Sequence, residues 1–470
     1  MPNCPQTMIA VYAVAKLGAI CNMVHALLPA DNLRANMEFT DSTVLITGNH
    51  ADDCKSITFA DKLLYVDISK DMGVVNRFGY KLLNRNAAPR FSIPFERGGN
   101  NPICECPNPA SLADSCALYM HSSGSTGEPK TVMLSHAALN RWVEITKFYF
   151  AGSDISEQIC LSALPYFHAL GFQMDMHRVI SCGGTLVQMA KWDGKKAVRF
   201  IKRHKVTVMG AVPAMCRSLL NRKEFSGPGI MQLRTWFIGG EKMDSALKQE
   251  LELRMRSGDD PCVFEGYGLT ETGSACAVLG KKHYHIDSCG YPLHGIQFMV
   301  RQEDGSLYPT GEGELIVGGN CFMSGYLKDP VATEEAFIEW DGQRMLRTGD
   351  YGRIDRDGLI YFIDRLKNTI VRKGNNIFPV EVESAIRPVD GVEDVCVIGL
   401  PDVVKETQLV CACIVPRKGL NEDTLQKEVE AACKRALPPV SRPSRYVFLQ
   451  ELPKTQIGKL DRKALEQRVS

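Results

Sequence analysis

No run of about 18 apolar residues occurs anywhere in the 470-residue chain, so nothing in it reads as a transmembrane segment. An excess of one charge is also missing: 55 Lys and Arg stand against 54 Asp and Glu, a net +1. No bulk field therefore selects a nucleic acid partner. The opening MPNCPQTMIAVYAVAKLGAI has no basic stretch ahead of its apolar residues, and Lys16 interrupts them, which is not the pattern of a secretory signal. Internal repeats and low-complexity tracts are absent. The 17 cysteines are numerous but scattered, and the close pairs Cys104/Cys106 and Cys411/Cys413 lack a second pair at zinc-finger spacing. Several lie in apolar runs, as Cys396 does in VEDVCVIGL, which suggests buried, reduced thiols in a cytoplasmic protein.

What is present is ordinary globular composition, 44% hydrophobic and 23% charged, in a chain long enough for about three folding units. Pro5 suits a first helical turn, and Met8, Ile9, Tyr12, Ala13, Leu17 and Ile20 recur at helical steps as a face seeking a partner. Between about Thr40 and Asp67 the pattern reads as βα. The next stretch mixes Arg77, Lys81, Arg85, Arg90 and Arg97 with Phe78, Tyr80, Leu82, Leu83 and Phe91; a solvated surface excursion is favoured over a membrane-touching helix.

From residue 116 onward, strand-like runs (CALYMHSS, CLSALP, GTLVQMA, VTVMGAV, LRTWFIGG, CVFEGYG) alternate with helical segments near 194–204, 213–221 and 243–256. Ser135 is a plausible helix cap ahead of Leu139, Trp142, Val143 and Thr146. This alternation predicts mostly parallel sheets covered by helices. Residues 290–319 turn two-periodic, as in a small antiparallel unit, and RIDRDGLIYFID reads as a hairpin with Asp-Gly at its turn. After Arg365 a compact α+β unit of about 100 residues follows. The expected division is a large N-terminal α/β domain over 1–364, with a β-rich subdomain, and a small mobile α+β domain over 365–470.

Four segments carry chemistry. His121-Ser122-Ser123-Gly124-Ser125-Thr126-Gly127-Glu128-Pro129-Lys130 follows a strand with glycines, hydroxyls and a lysine, the inventory for holding a polyphosphate. Pro129 stands where a Walker loop needs Gly-Lys, so the loop is of another class, or a flexible Gly/Ser turn. Glu265-Gly266-Tyr267-Gly268-Leu269-Thr270-Glu271 offers a flat ring, a hydroxyl and a hard oxygen ligand of the kind Mg²⁺ takes, although a packed tyrosine in a turn fits too. Asp350 in RTGD can accept from ribose hydroxyls or simply close a turn. Lys459 sits at a bend after Gly458 near the end of the chain, where a basic tail is the plainer reading.

Taken in order, SSGSTGEPK, LPYFHALGF, FIGGEKM, GYGLTET, RTGD, DRLKNTIVRKGNNIFPVEVE and PKTQIGKLDR resemble the motifs of the adenylate-forming superfamily, the AMP-binding acyl-CoA synthetases and their relatives. The resemblance runs from about Met1 to Arg462. It implies that Ser122, Ser123, Gly124, Ser125, Thr126, Gly127 and Lys130 hold the pyrophosphate side of ATP. It places Gly240 and Glu241 at the adenine and acyl pocket, stacks Tyr267 on adenine beside Gly268, sets Thr270 at the α-phosphate and gives Mg²⁺ to Glu271. Asp350 and Arg365 would bind ribose, His168 would form the acyl gate, and Lys459 would bridge the carboxylate and the α-phosphate. Lys367 falls at the family's hinge and Gly374 on the face offered to CoA.

The implied activity is ligation of a carboxylic acid to CoA through an acyl-adenylate, releasing AMP and pyrophosphate, with ATP, Mg²⁺ and CoA required. FHALGFQMDM lacks an aspartate where amino-acid-activating relatives carry one, Asp175 coming several residues late. A fatty or aryl acid without an α-amine is therefore expected. An acyl-carrier protein is the alternative thiol, and a non-catalytic nucleotide-binding remnant the alternative of another class. Relatives carry a segment ahead of MPNCPQ, so the chain is expected to be truncated at its N terminus relative to the family.

Overall fold

The computed structural model describes residues 1–48, 60–67, 93–95, 109–122, 130–147, 155–227, 229–255, 263–279, 285, 287–372, 374–402, 407–417, 419–453 and 460–469. The chain forms two compact units, Met1–Phe298 with Val317–Leu346, and Met299–Ile316 with Arg347–Ser470. Residues 365–470, set apart by sequence, lie wholly in the second unit together with 299–316 and 347–364.

The first unit is built on a seven-stranded sheet in the order Tyr291–Pro292, Ser274–Val278, Val263–Leu269, Thr235–Ile238, Val208–Ala211, Ile159–Ser162, Thr185–Gln188. The last five of these run parallel, and the first two antiparallel. Parallel strands covered on both faces read as continuous apolar runs, and Val208–Ala211 is buried at every position. The helix Gly194–His204 occupies its expected span; the Asp193 side chain accepts from Lys196 N at its start, and Lys205, in the left-handed region at φ 54°, ends it. Its Ala197, Val198 and Ile201 join Trp236 and Phe225 in the core.

A second sheet orders Cys21–Asn22, Cys116–Ser122, Lys130–Ser135 and Gly325–Tyr326. Ser135 caps the helix His136–Thr146 by accepting from Ala138 N at 3.1 Å. On that helix Trp142 is fully buried and donates its indole N–H to Ala275 O at 2.7 Å. One aromatic donor thus ties the helix that follows the phosphate segment to the strand that follows the GYGLTET segment. A third, parallel sheet pairs Val44–Gly48, Lys62–Val66 and Ile93–Pro94. The basic segment bearing Arg77, Lys81, Arg85, Arg90 and Arg97 lies outside the described residues.

The first helix, Pro5–Lys16, forms where expected but buries a different face. Its buried residues are Thr7, Ala10 and Val11, whereas Ile9 and Leu17 are more than half exposed. Small side chains at three- and four-residue steps allow close approach, and half-buried Tyr12 anchors the helix through its hydroxyl to His177 Nδ1 at 2.9 Å.

In the second unit residues 350–354 of the strand Gln343–Ile354 pair with Ile360–Arg365 as the predicted hairpin, with Gly358 at φ 82° in its turn. Ile370–Arg372 and Asn375–Ile377 form another hairpin, and Val392–Asp402, Thr407–Pro416 and Arg445–Phe448 a small sheet. The helix Glu422–Ala436, capped by Asn421, and Pro379–Ile386 contribute Leu425, Val429, Val382 and Ile386 to its core. Among the described residues no helix is long and apolar enough to cross a membrane, and every cysteine is a free thiol.

Candidate active site

Ligands of open parallel sheets bind beyond the carboxyl ends of the strands, near the point where strand order reverses. In the first unit the order reverses about Ile159–Ser162, which lies between Thr185–Gln188 and Val208–Ala211. The gate segment 164–172, the Gly240–Glu241 turn and the segment ending in Glu271 follow the carboxyl ends of Ile159–Ser162, Thr235–Ile238 and Val263–Leu269. Three of the sequence motifs thus leave the same edge of one sheet.

In the second sheet, Cys116–Ser122 and Lys130–Ser135 are antiparallel, with Ser122 opposite Lys130 and His121 opposite Thr131. Of the predicted phosphate ligands, Ser122 and Lys130 stand at the ends of these strands, while Ser123, Gly124, Ser125, Thr126 and Gly127 lie outside the described residues. A polar cluster supports the strand ends. His121 Nε2 lies 2.9 Å from Asn22 Oδ1, and its Nδ1 lies 3.1 Å from Thr131 Oγ1. Asn22 in turn donates to Asn36 Oδ1 at 2.8 Å and Thr40 Oγ1 at 2.9 Å. Burial lowers the His121 pKa to about 4, so the ring is neutral and can donate from Nε2 while Nδ1 accepts from Thr131.

Lys130 and Glu271, from separate motifs, meet on one residue. The Lys130 ammonium stands 4.7 Å from the centroid of the Tyr326 ring, and the Tyr326 hydroxyl donates to Glu271 Oε1 at 2.9 Å. Tyr326 was not singled out by its sequence; it lies on the two-residue strand Gly325–Tyr326, paired with Met133 and Val132.

Around Glu271 the backbone makes a tight turn. Thr272 Oγ1 accepts from Leu269 N at 2.8 Å and donates to Ser274 O at 2.7 Å. Gly268 is required there, because a Cβ would stand 2.0 Å from Ser274 O. Thr270 and Glu271 are half-buried, and Gly268 is exposed. Tyr267 is 8% exposed and packs its ring against Phe298 with centroids 6.1 Å apart. Gly240, at φ 84°, and Glu241 are exposed. Glu265, to which the sequence assigned no role, holds their turn against the strand: it accepts from Met243 N and from the buried Lys248 ammonium, each at 3.2 Å.

The gate segment is clamped from two sides. Asn3 donates to Leu164 O at 2.8 Å and accepts from Tyr166 N at 3.3 Å. Asp175, fully buried in the π-helical turn Gly171–His177, accepts from Ala163 N at 3.1 Å and Leu164 N at 3.0 Å through Oδ2. Its Oδ1 faces Gly210, where a Cβ would stand 2.3 Å away. Burial raises the Asp175 pKa to about 7 against the opposing effect of these backbone donors. His168, half-buried, packs its ring 4.5 Å from Phe167, which meets His25 at 4.6 Å.

The second unit carries its own group. Asp350, 1% exposed, meets Arg365 Nε at 2.8 Å, and the two are opposite each other in the pairing of Gln343–Ile354 with Ile360–Arg365. Asp364 organises the next turn, accepting from Arg365 N at 2.7 Å, Asn368 Nδ2 at 2.9 Å and Val380 N at 3.2 Å. Lys367 is exposed within the turn Leu366–Asn368, and exposed Gly374 sits at φ 74°. Lys459 lies outside the described residues. Among the described residues no three His, Cys, Asp or Glu side chains converge on a common metal position. A metal held by the lone Glu271 carboxylate would take its remaining ligands from phosphate and water, which is the habit of Mg²⁺.

A family described as AMP-binding enzyme matches residues 1–327, and one described as AMP-binding enzyme C-terminal domain matches 381–459. A long-chain-fatty-acid–CoA ligase of Bacillus subtilis (strain 168) is 27% identical over 99% of this chain and 84% of its own length. Feruloyl-CoA synthase of an Amycolatopsis species is 32% identical over 75% of this chain and 69% of its own. Among solved structures, o-succinylbenzoate CoA synthetase of Bacillus subtilis with its acyl-adenylate intermediate matches at a TM-score of 0.78 and 25% identity, covering 99% of this chain and 86% of that one. ATP-bound MatB of Rhodopseudomonas palustris, at 20% identity, shares the fold at a TM-score of 0.81 over 100% of this chain and 87% of its own.

Proposed function

The chain belongs to the AMP-binding enzyme family, the adenylate-forming acyl-CoA synthetases, and on that premise we propose that it joins a fatty or aryl acid to CoA through an acyl-adenylate. The overall reaction is carboxylic acid plus ATP plus CoA to acyl-CoA, AMP and pyrophosphate. The observation that carries the reading is the meeting of Lys130 and Glu271 on Tyr326. A phosphate-binding cation and a metal-binding carboxylate must lie close together, and here two distant motifs supply them.

A carboxylate is a weak nucleophile and repels ATP, so the work falls to positioning and charge neutralisation rather than to a covalent protein nucleophile. Lys130 and the hydroxyls of 122–126 hold the phosphates, and Thr270 donates to the α-phosphate. Magnesium, when bound at Glu271, neutralises phosphate charge. Tyr267 stacks on adenine, with Gly268, Gly240 and Glu241 lining the base and acyl pocket, while Asp350 and Arg365 take the ribose. Lys459 brings the acid's oxygen to the α-phosphate, where the new bond forms as the bond to pyrophosphate breaks. His168 closes the acyl side and keeps water from the adenylate. The 365–470 segment then swings about Lys367, turning Gly374 toward CoA, whose sulfur displaces AMP. The scattered cysteines of the sequence, without paired spacing, fit the reducing cytoplasmic setting we propose.

The test is acid-dependent exchange of labelled pyrophosphate into ATP over a panel of fatty and aryl acids, followed by addition of CoA or an acyl-carrier protein. Exchange followed by CoA thioester is expected. Thioester only on the carrier protein would move the chain to the alternative acceptor, and no exchange with any acid would overturn the reading.

A further inference from the structure

Tyr326 lies outside the seven segments quoted above, yet it is the residue on which two of them converge. Its backbone is fixed on several sides. Ser324 N donates to Met133 O and Leu327 N to Thr131 O, each at 2.9 Å, which continues the pairing of Gly325–Tyr326 with Met133 and Val132. Tyr326 N donates to Thr333 Oγ1 at 2.9 Å, and a Cβ on Gly325 would stand 2.7 Å from the Thr333 methyl, so the helix Pro330–Glu335, which carries Thr333, packs directly on the strand. Met323 N donates to Glu271 O at 2.8 Å, which joins the same segment to the backbone of the glutamate itself. The segment is therefore registered against both the strand that begins at Lys130 and the turn that holds Glu271.

The side chain extends that registration to the charged groups. The face of a phenol ring attracts an ammonium, and at 4.7 Å the Lys130 charge is held without any of its hydrogen-bond donors being committed to a competing acceptor by that contact. The hydroxyl occupies one oxygen of Glu271, which orients the carboxylate and leaves the other oxygen to a ligand. Groups that orient a metal ligand through a hydrogen bond contribute substantially to metal affinity although they never touch the metal.

We propose that Tyr326 is a positioning residue that sets the phosphate-binding Lys130 and the metal-binding Glu271 relative to one another through its ring and its hydroxyl respectively. The inference rests on the reading of those two residues given above. Its two halves separate chemically. Tyr326→Phe removes the hydroxyl and keeps the ring, so it should weaken the metal step alone. Tyr326→Leu removes both.

Calorimetric titration of ATP into the full chain, without acid or CoA and across a range of Mg²⁺ concentrations, reads the two effects apart from turnover. In Tyr326→Phe the Mg²⁺ concentration for half-maximal enhancement of ATP binding should rise roughly tenfold, with ATP affinity in the absence of Mg²⁺ unchanged. In Tyr326→Leu the metal-free affinity should fall as well. A Tyr326→Phe protein with wild-type Mg²⁺ dependence would overturn the proposal, and a lowered melting temperature alone would reduce Tyr326 to a packing residue. Should Tyr326→Leu fail to fold, Tyr326→Phe carries the test. Glu271→Gln is measured beside them: a wild-type Mg²⁺ curve in that variant would remove Glu271 from the metal site and overturn the underlying reading along with the proposal.

Discussion

Asp350 Oδ1 and Arg365 Nε lie 2.8 Å apart, opposite one another on neighbouring antiparallel strands. The acid is 1% exposed while the arginine side chain is 41% exposed, so a buried anion is met by a cation that keeps access to solvent. Such a pair can hold a sugar edge: the carboxylate accepts from hydroxyls and the guanidinium keeps free donors.

Asp350→Asn keeps the shape and removes the charge. A hydrogen bond to a charged group contributes about 1.5–3 kcal/mol, so KM for ATP in pyrophosphate exchange should rise by roughly one to two orders of magnitude. KM for the carboxylic acid should change little. An ATP KM within twofold of wild type would remove Asp350 from the ribose site.

Local pattern was a good guide where the governing contact is local. The Gly194–His204 helix, the Ser135 cap and the hairpin turning at Gly358 each depend on residues within a few positions of one another. Tyr326, Glu265 and Asn3 carry no comparable local signature, because their contacts are distant in sequence: Glu271 and Lys130, Met243 and Lys248, and Leu164. A Gly-Tyr dipeptide carries no local sign that its backbone pairs with Met133 and Val132. The first helix departs from its apolar pattern for a related reason: burial follows the small Thr7 and Ala10 rather than the largest apolar side chains, because the packing partner decides which face fits. By sequence Asp175 is only an aspartate placed too late to pair with an amine, whereas in the fold its carboxylate holds the backbone of Ala163 and Leu164.

Burial lowers the pKa of His121 from 6.5 to about 4, which ties the phosphate strands to pH. The folded pKa lies below the unfolded one, so the contribution to stability is fully present above pH 6.5 and is lost as pH falls toward 4. His177, lowered likewise to about 4 by burial, acts in the same direction. Asp175, whose pKa burial raises to about 7, acts in the opposite direction across much of this window, so the His121 contribution is read as the difference between variant and wild type rather than from the slope of either alone. As the pH is lowered, His121→Gln should lose less melting temperature than wild type, whatever its melting temperature at neutral pH. Parallel curves for the two proteins would mean that His121 is not buried in its neutral form.

Lys459→Ala should abolish adenylation, because no cation then brings two anions together in the transition state. ATP affinity should change little, since the remaining nucleotide contacts are assigned to other residues. Pyrophosphate exchange and calorimetric ATP binding are measured on the same preparation. Exchange near the wild-type rate would refute the assignment, and a matching loss of ATP affinity would make Lys459 a nucleotide anchor instead.

Lys367 offers a way to separate the two half-reactions. It sits in the turn Leu366–Asn368, closed by Thr369 N donating to Leu366 O at 3.0 Å and flanked by the bonds of Asp364 to Arg365 N and Asn368 Nδ2. A hinge is a few residues that absorb a large change in backbone dihedrals. Proline fixes its own φ and drives the preceding residue, Leu366, away from helical values. Lys367→Pro should therefore restrict the changes of orientation that the thioester step requires. Bound ATP and acid favour the adenylation pose, so exchange should survive in part, while single-turnover transfer from preformed acyl-adenylate to CoA should fall at least tenfold further, about 1.4 kcal/mol in the barrier. Equal losses in both assays, with an unchanged circular dichroism spectrum and melt, would place the pivot elsewhere; equal losses with a lowered melt would show that proline damages the turn held by Asp364, which Lys367→Gly, flexible at the same position, would then distinguish by retaining both half-reactions.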